Sequence, residues 1–267
     1  MEIAPDTHMG LVELSVSDLE RSLAYWQEAI GLRVLSRENG TAELGADTPL
    51  VRFVEEPGAR SAHGFTGLFH VALLVPDRPG LGRFLAHTSR EQLPLTGLSD
   101  HVVSEAIYLR DPDYHGIEVY SDRPREQWEG HVSQTMTTIP LDTDSLLADA
   151  GDGEFDGLPD GTTVGHVHLC VRDVDEMLGF YRDRLGMDVT AQVGNQAAFL
   201  SAGGYHHHLG GNTWETRGAP PAPEGTARLL GFTIVLPDDA EMQRVAERIG
   251  GTEVRDPSGN PLVLAAA

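Results

Sequence analysis

The sequence has a single cysteine and no long hydrophobic run. Cys170 is the one cysteine among 267 residues, which excludes an internal disulfide and is typical of a protein in a reducing cytoplasm. No stretch approaches the roughly 18 apolar residues of a membrane span. The N-terminal MEIAPDTHMG also has neither the basic nor the apolar region of a signal peptide. We therefore expect a cytoplasmic globular protein that does not bind membranes.

Positive charge is also scarce. The chain has 19 Lys and Arg residues against 41 Asp and Glu residues, for a formal net charge of -22. Nucleic acid and acidic membranes both require a basic surface, so neither is an expected partner. A small-molecule substrate remains open, because the field inside a pocket can oppose the global charge. Histidine is abundant instead, with 12 residues, three of them consecutive at positions 206–208.

One short pattern occurs four times. In each copy an alternating apolar strand ends in Asp, and a helix-like stretch follows. The copies are LVELSVSD, HVALLVPD, HVHLCVRD and GFTIVLPD, which begin at Leu11, His70, His166 and Gly231. The terminal Asp is a favourable helix N-cap, and Gly31 and Gly186 stand where the first and third helices are expected to end.

The repeats predict an α+β fold of four modules, each a strand, a helix and three more strands. The modules are expected at residues 10–56, 67–121, 164–215 and 228–265. Residues 125–163 are polar and rich in Gly and Asp, with one short helix predicted at Asp144–Ala150. We therefore divide the chain into a first pair of modules (1–124), a linker (125–163) and a second pair (164–267).

Polar residues at repeat positions are concentrated in the middle two modules. Seven positions before the Asp, the second and third modules carry His70 and His166, whereas the outer modules carry Leu11 and Gly231. Glu118 lies in the apolar run IEVY of the second module's last strand. A buried unpaired charge costs several kcal/mol, so Glu118 is expected to have a partner, and a metal ion is one candidate.

The motifs HVxLxVxD, SLxYWxxxxGL and DPxxxGIEVYxDRP resemble the vicinal oxygen chelate (glyoxalase/bleomycin resistance/extradiol dioxygenase) superfamily. Within it, the four-module layout resembles the catechol 2,3-dioxygenase-like proteins. The resemblance implies βαβββ modules paired into two half-open barrels, with a metal on the concave face of two paired modules. The same fold also carries glyoxalases, epimerases and drug-binding resistance proteins.

Ring-cleaving members hold Fe(II) with two His and one Glu, a facial triad that also accepts Mn(II). The resemblance assigns His70 and Glu118 to this triad. The second His usually comes from the preceding module, where this chain has Leu11. If the second module pairs with the third, His166 completes the triad, and this is the expected ligand set. The alternatives are His8 as third ligand in a pairing of modules one and two, or two core histidines without a metal.

Further cavity residues follow from the same resemblance. Relatives carry a tyrosine that hydrogen-bonds the bound catecholate at the position of Tyr108, and a histidine near the metal at the position of His101. His206, His207 and His208 fall where the third module's last strand is expected, with His207 on the opposite face from the other two. We expect His101 or one of these three histidines to act as acid or base, and His168 to share the face of His166. The remaining histidines expected at the surface are His63, His87, His115 and His131.

Together these features predict an extradiol dioxygenase that inserts O2 into a catechol-type aromatic at a mononuclear Fe(II). Two alternatives use the same fold. One is a glyoxalase- or epimerase-like enzyme with a redox-silent divalent metal, which typically adds a fourth protein ligand. The other is a metal-free protein that binds small molecules. Association into a homo-oligomer is left open.

Overall fold

The computed structural model describes residues 2–151 and 153–267, and the repeats fold into modules as predicted. The first module and the short strand after it comprise β1 (His8–Val16), α1 (Leu19–Tyr25), β2 (Arg33–Glu38), β3 (Thr41–Gly45), β4 (Pro49–Glu55) and β5 (Arg60–Ser61). The second module comprises β6 (Gly67–Leu74), α2 (Arg78–Arg90), β7 (Gly97–Asp100), β8 (Ser104–Arg110) and β9 (Gly116–Asp122).

A connecting segment and two further modules complete the chain. The connection contains α3 (Val132–Thr135), β10 (Ile139–Pro140) and α4 (Thr143–Ala150). The third module comprises β11 (Thr163–Cys170), α5 (Val174–Phe180), β12 (Asp188–Val193), β13 (Ala197–Ser201) and β14 (Leu209–Asn212). The fourth comprises β15 (Thr226–Ala227), β16 (Leu229–Leu236), α6 (Asp239–Ile249), β17 (Glu253–Arg255) and β18 (Pro261–Ala266). Its helix is followed by two strands rather than the predicted three.

The Asp that ends each repeat caps a helix, as predicted. Each carboxylate accepts a hydrogen bond from the backbone N–H three residues further along, at 2.7 to 3.0 Å. The four caps are Asp18, Asp77, Asp173 and Asp238. In the first and third modules the helix continues into a π-helical turn that ends at Gly31 or Gly186. These glycines have φ of 86° and 98°, a left-handed conformation that favours residues without a Cβ.

The modules pair one with four and two with three. A seven-stranded sheet has the order β17-β18-β16-β1-β4-β3-β2, and a nine-stranded sheet has the order β10-β7-β8-β9-β6-β11-β14-β13-β12. β6 and β11 run antiparallel at the centre of the larger sheet. The alternative that used His8 is wrong, because His8 is exposed on β1, in the other sheet. Each sheet thus takes one module from each half of the chain, and the division at residues 125–163 stays a prediction.

Two buried hydrogen bonds tie the sheets together in equivalent ways. Trp26 Nε1 donates to Asp111 Oδ2 at 3.2 Å, and Tyr181 Oη donates to Asp256 Oδ2 at 3.1 Å. Both carboxylates belong to the Asp-Pro turns before the last strands of modules two and four. Burial raises the pKa of Asp111 and of Asp256. Within the described ranges no helix is both long and apolar enough to cross a membrane.

Removing one of these ties should lower stability measurably. Tyr181→Phe deletes the donor to the buried Asp256 carboxylate, so we expect the free energy of unfolding to fall by about 1 kcal/mol. Tyr25→Phe is the matched control, since the buried Tyr25 hydroxyl has no hydrogen-bond partner in the described part of the chain and its removal should cost nothing. Urea denaturation of both variants measures the difference. Equal losses would contradict the importance of the Tyr181–Asp256 bond.

Candidate metal centre

A row of residues across four neighbouring strands creates the site. Glu118 on β9 lies opposite Tyr108 of β8 on one side and Ala72 of β6 on the other, and Ala72 lies opposite His166 of β11. Side chains opposite one another project from the same sheet face. His70 is two residues before Ala72 and shares that face. The two imidazoles and the carboxylate therefore converge above Ala72, whose methyl group leaves the space between them open.

The three side chains are almost fully buried and in direct contact. Glu118 Oε2 lies 2.9 Å from His70 Nε2 and 3.1 Å from His166 Nε2. The two Nε2 atoms are 3.4 Å apart. Exposed fractions are 6% for His70 and 2% for Glu118 and His166, so bulk water does not screen the carboxylate. Among the described residues, these three form the one group of His, Cys, Asp or Glu side chains arranged closely enough to hold a metal ion.

Both partners of the Glu118–His166 pair are in metal-binding form near neutral pH. Burial by itself raises the pKa of Glu118, but the imidazoles of His166 and His70 outweigh it and hold that pKa well below its ordinary value. Burial lowers the pKa of His166 to about 4, against the opposing effect of Glu118. An ionised carboxylate and a neutral imidazole are the states that bind divalent metals.

The donor set fits a divalent metal. Two bonds of about 2.1 Å at a right angle place their donor atoms about 3.0 Å apart, close to the three separations observed here. Two nitrogens and an oxygen on one face match the triad that leaves the opposite positions free for substrates. The residues present therefore suit a cation held from one side.

His166 is held by packing rather than by a hydrogen bond at its other nitrogen. Its Nδ1 is buried and has no hydrogen-bond partner among the described residues. The ring lies between Tyr120, at 4.9 Å between centroids, and His207, at 4.1 Å. The Tyr120 hydroxyl occupies the space beside Gly165, where β11 bulges against β6. Tyr120 and Gly165 thus help to set the position of the His166 ring.

A cavity of about 490 Å³ opens above the triad, within the usual range for small-molecule sites. Tyr108 and His101 line it and bond to each other, with 2.8 Å between Tyr108 Oη and His101 Nε2. His101 Nδ1 donates to the Thr137 carbonyl at 2.9 Å. Val102, next to His101, has φ of 67°, a strained conformation for a β-branched residue that tends to occur at functional sites.

The three consecutive histidines lie in an irregular segment before β14, not on a strand as expected. His207 alone of the three lines the cavity. Its Nδ1 lies 2.8 Å from His206 Nδ1, and His206 Nε2 lies 2.9 Å from Asp122 Oδ1. His208 Nδ1 accepts a hydrogen bond from the backbone N–H of Ala202. The structure therefore brings one of the three to the cavity and places the other two behind it.

The predictions for the other histidines are partly confirmed and partly wrong. His168 shares the cavity face as predicted, and its Nε2 bonds to Asn212 at 3.0 Å. His87 and His115 were expected at the surface, which is wrong. Both are buried, and burial is tolerated because their Nε2 atoms donate to the backbone carbonyls of Glu28 and Ser15. The exposed His63 and His131 agree with expectation.

Several cavity and support residues escaped the sequence analysis. Ala72, Gly165 and Tyr120 act through size and close packing, which no motif marks. Asp122 immediately follows the IEVYS run. An acidic residue at the end of this strand could have been predicted from the sequence to bond to a polar side chain behind the site. Phe199 and Trp214 line the cavity from β13 and from the segment after β14, but single aromatics in a sequence do not show which cavity they face.

The sequence is similar to a known protein family and to a named enzyme. A family model described as the Glyoxalase/Bleomycin resistance protein/Dioxygenase superfamily matches residues 8–119 and 163–257. The chain is 44% identical over 254 residues to catechol-2,3-dioxygenase of Bacillus subtilis (strain 168), covering 92% of this chain and 89% of that protein.

Two solved structures show the same architecture at low identity. Glyoxalase I from Zea mays superposes with a TM-score of 0.57 at 17% identity, covering 98% of this chain and 92% of that one. The cppA protein from Streptococcus pneumoniae TIGR4 gives a TM-score of 0.57 at 12% identity, covering 97% and 98%. These likenesses concern the fold alone.

The support beneath His166 can be tested at Gly165. A Cβ at this position would lie 1.8 Å from Tyr120 Oη, so Gly165→Ala must displace Tyr120 or β11. We expect the free energy of unfolding to fall by about 1–3 kcal/mol, together with weaker metal binding measured by equilibrium dialysis. The double variant Gly165→Ala/Tyr120→Phe removes the clashing hydroxyl and should recover part of both losses. Wild-type stability of Gly165→Ala would contradict the packing.

Proposed function

The chain belongs to the glyoxalase/bleomycin resistance protein/dioxygenase superfamily, and we propose that within it the protein is an extradiol ring-cleaving dioxygenase acting on a catechol-type aromatic with O2. The observation that carries this is the convergence of His70, Glu118 and His166 at the base of a cavity. The 44% sequence identity to a catechol-2,3-dioxygenase over 92% of this chain supports the proposal. The single cysteine and acidic surface support a cytoplasmic location without nucleic-acid or membrane partners, and homo-oligomer formation stays open.

We assign His70, His166 and Glu118 as ligands of Fe(II), with Mn(II) as the other metal that this donor set suits. Iron(II), when bound, supplies Lewis acidity toward both diol oxygens and a redox path between the diol and O2. No fourth His, Cys, Asp or Glu joins the triad within residues 2–151 and 153–267. This favours the dioxygenase over a glyoxalase-type site, which is expected to add a fourth protein ligand.

Tyr108 and His101 provide one proton path. Burial, with Glu118 as a lesser cause, raises the pKa of Tyr108 well above its ordinary value, so the hydroxyl stays protonated. His101 Nδ1 donates to the Thr137 carbonyl, so Nε2 is the ring nitrogen that can accept a hydrogen bond from the Tyr108 hydroxyl. A diol hydroxyl against Tyr108 Oη can pass its proton to Oη while the Tyr108 proton moves to His101. Tyr108 then donates a hydrogen bond to the substrate oxygen that lost the proton.

His207 provides a second acceptor, and its tautomer is set from behind. Burial, with the imidazoles of His166 and His206, holds the pKa of His207 well below its ordinary value, so the ring carries one proton. The Asp122 carboxylate accepts from His206 Nε2. With Nε2 as its donor, the His206 ring can offer an Nδ1 lone pair to the Nδ1–H of His207, 2.8 Å away. His207 is left with an unprotonated Nε2, an acceptor on a ring that lines the cavity.

Loss of one proposed ligand should remove both metal and activity. Protein reconstituted anaerobically with Fe(II) and then given catechol in air should turn yellow as the ring-opened semialdehyde forms. His166→Ala should abolish iron retention, measured by elemental analysis, and the colour with it. His8→Ala serves as the matched control and should retain both. Full activity of His166→Ala would refute the assigned triad, and turnover that continues without O2 would refute the dioxygenase.

The Asp122–His206 pair should affect turnover more than substrate binding. Asp122→Asn lets the amide donate to His206 Nε2 and so favours the opposite tautomer of both rings. We expect kcat to fall by about 10- to 100-fold with little change in KM. Nitrogen chemical shifts of the His206 and His207 rings in the metal-free full chain report the tautomer directly.

The control for this variant is Tyr205→Phe. It removes the other donor to Asp122, whose Oδ1 lies 3.2 Å from Tyr205 Oη, together with the 2.8 Å bond between Tyr205 Oη and Tyr120 Oη. His206 keeps its bond to Asp122. It should keep kcat and the ring shifts near wild type. Unchanged ring shifts in Asp122→Asn would show that Asp122 does not set the tautomer.

A further inference from the structure

Aromatic rings continue the cavity wall beyond the triad. Phe69 lies 5.0 Å from His168 and 5.4 Å from Trp214, measured between ring centroids. Phe199 lies 5.7 Å from His168 and 5.1 Å from His207. His168 and His207 in turn contact the triad histidines, at 4.9 Å from His70 and 4.1 Å from His166. The wall made by Phe69, Phe199, His168 and Trp214, called here the aromatic wall, therefore begins beside the metal site.

The outer end of the aromatic wall exposes large apolar side chains. Trp214 is 53% exposed and Val193 is 55% exposed, and both line the cavity. Exposed apolar surface at the edge of a pocket commonly marks a binding site. His168 contributes its ring rather than a charge, because its Nε2 accepts a hydrogen bond from Asn212.

The cavity is larger than an unsubstituted catechol requires. Its volume is about 490 Å³, roughly three times the 150 Å³ of a protein cavity that accommodates benzene. The diol end needs only the triad, Tyr108, His101 and His207. The remaining volume lies between the aromatic wall and a side lined by Leu109, Met136 and the hydroxyl residues Thr96, Ser99, Thr137 and Thr138. It has to be filled by the substrate or by water.

Positive charge is nearly absent from this cavity. Among the described lining residues, Arg110 is the one Lys or Arg. Its side chain is exposed, and Nη1 donates to the carbonyl of Tyr114 at 3.0 Å, a residue that does not line this cavity. Glu118 supplies negative charge at the base. A substrate carboxylate would leave water without a dedicated basic partner, which is unfavourable.

We propose that the aromatic wall is a substituent-binding subsite, and that the protein's substrates are catechols bearing a bulky, uncharged apolar group rather than catechol itself or a carboxylated catechol. This rests on the proposed dioxygenase function and specifies its substrate class. The diol lies at the triad, and the substituent packs between Phe69, Phe199 and Trp214. Val193 closes the outer side of the subsite.

The test compares three probes with the iron-loaded protein: catechol, a dihydroxybiphenyl and 3,4-dihydroxybenzoate. We expect kcat/KM for the dihydroxybiphenyl to exceed that for catechol by about tenfold or more, since hydrophobic pockets discriminate on this scale. The carboxylated probe should be the poorest of the three. Anaerobic calorimetric titration of the same probes should give dissociation constants in the same order, which tests the subsite even if no probe is turned over.

Variants separate the subsite from the reaction. Trp214→Ala should reduce kcat/KM and affinity for the dihydroxybiphenyl by about tenfold while leaving values for catechol near wild type. Leu35→Ala, an exposed apolar residue at 40% on β2 in the other sheet, is the matched control and should change neither. Arg110→Ala should not weaken binding of the carboxylated probe.

Three results would overturn the proposal. The first is tighter binding of catechol than of the dihydroxybiphenyl, and the second is equal loss on both probes in Trp214→Ala. The third is preference for 3,4-dihydroxybenzoate that depends on Arg110. If catechol is cleaved but any of these holds, the subsite is wrong and the dioxygenase stands. If no catechol is cleaved but the affinity order holds, the dioxygenase fails and the subsite stands.

Discussion

The antiparallel pairing of β6 with β11 is the constraint on which the site depends. It places His166 opposite Ala72, which is two residues from His70, and so brings the proposed ligands of modules two and three to one face. A shift of register by one residue would turn His166 to the opposite face of the sheet. The bulge at Gly165 therefore matters, because it fixes where along β6 the histidine falls. The buried Glu118 carboxylate then has two imidazoles within 3.1 Å, which compensates a charge that the sheet could not otherwise bury.

Small residues make this arrangement physically accessible. Ala72 lies between Glu118 and His166 in the cross-strand row, and a longer side chain would occupy the point on which the donors converge. Gly165 admits the Tyr120 hydroxyl, and Tyr120 supports the ring of His166. The site thus combines three polar residues, the proposed metal ligands, with small neighbours that give them room. Its precision comes from packing, because the second nitrogen of His166 has no hydrogen-bond partner in the described ranges.

Strands and helix caps were accessible from the sequence because they follow local or repeated patterns, and the same repeats led to the proposed ligand set. The Asp at the end of each repeat caps a helix by bonding to the backbone N–H only three residues later. Comparison of the four copies showed that the second and third carry His70 and His166 where the first and fourth carry Leu11 and Gly231. The placement of the consecutive histidines was not accessible, because a strand pattern was assumed where the chain is irregular. The burial of His115 was also missed, since its partner is a backbone carbonyl 100 residues away in sequence. The residues of the aromatic wall could not be predicted from the sequence either, because the direction of their side chains depends on tertiary packing.

The seven-stranded sheet, formed by modules one and four, supports the site although it carries none of the assigned ligands. The turn from Asp111 to Gly116 leads directly into β9, and its polar groups bond to the first module. Trp26 donates to Asp111, Ser17 donates to Asp113 through both its backbone N–H at 2.8 Å and its hydroxyl at 2.6 Å, and His115 bonds to the Ser15 carbonyl at 2.9 Å. Glu118 follows His115 by three residues, so its position is set partly by these contacts. The first module, which carries none of the assigned ligands, therefore anchors the strand that carries the carboxylate.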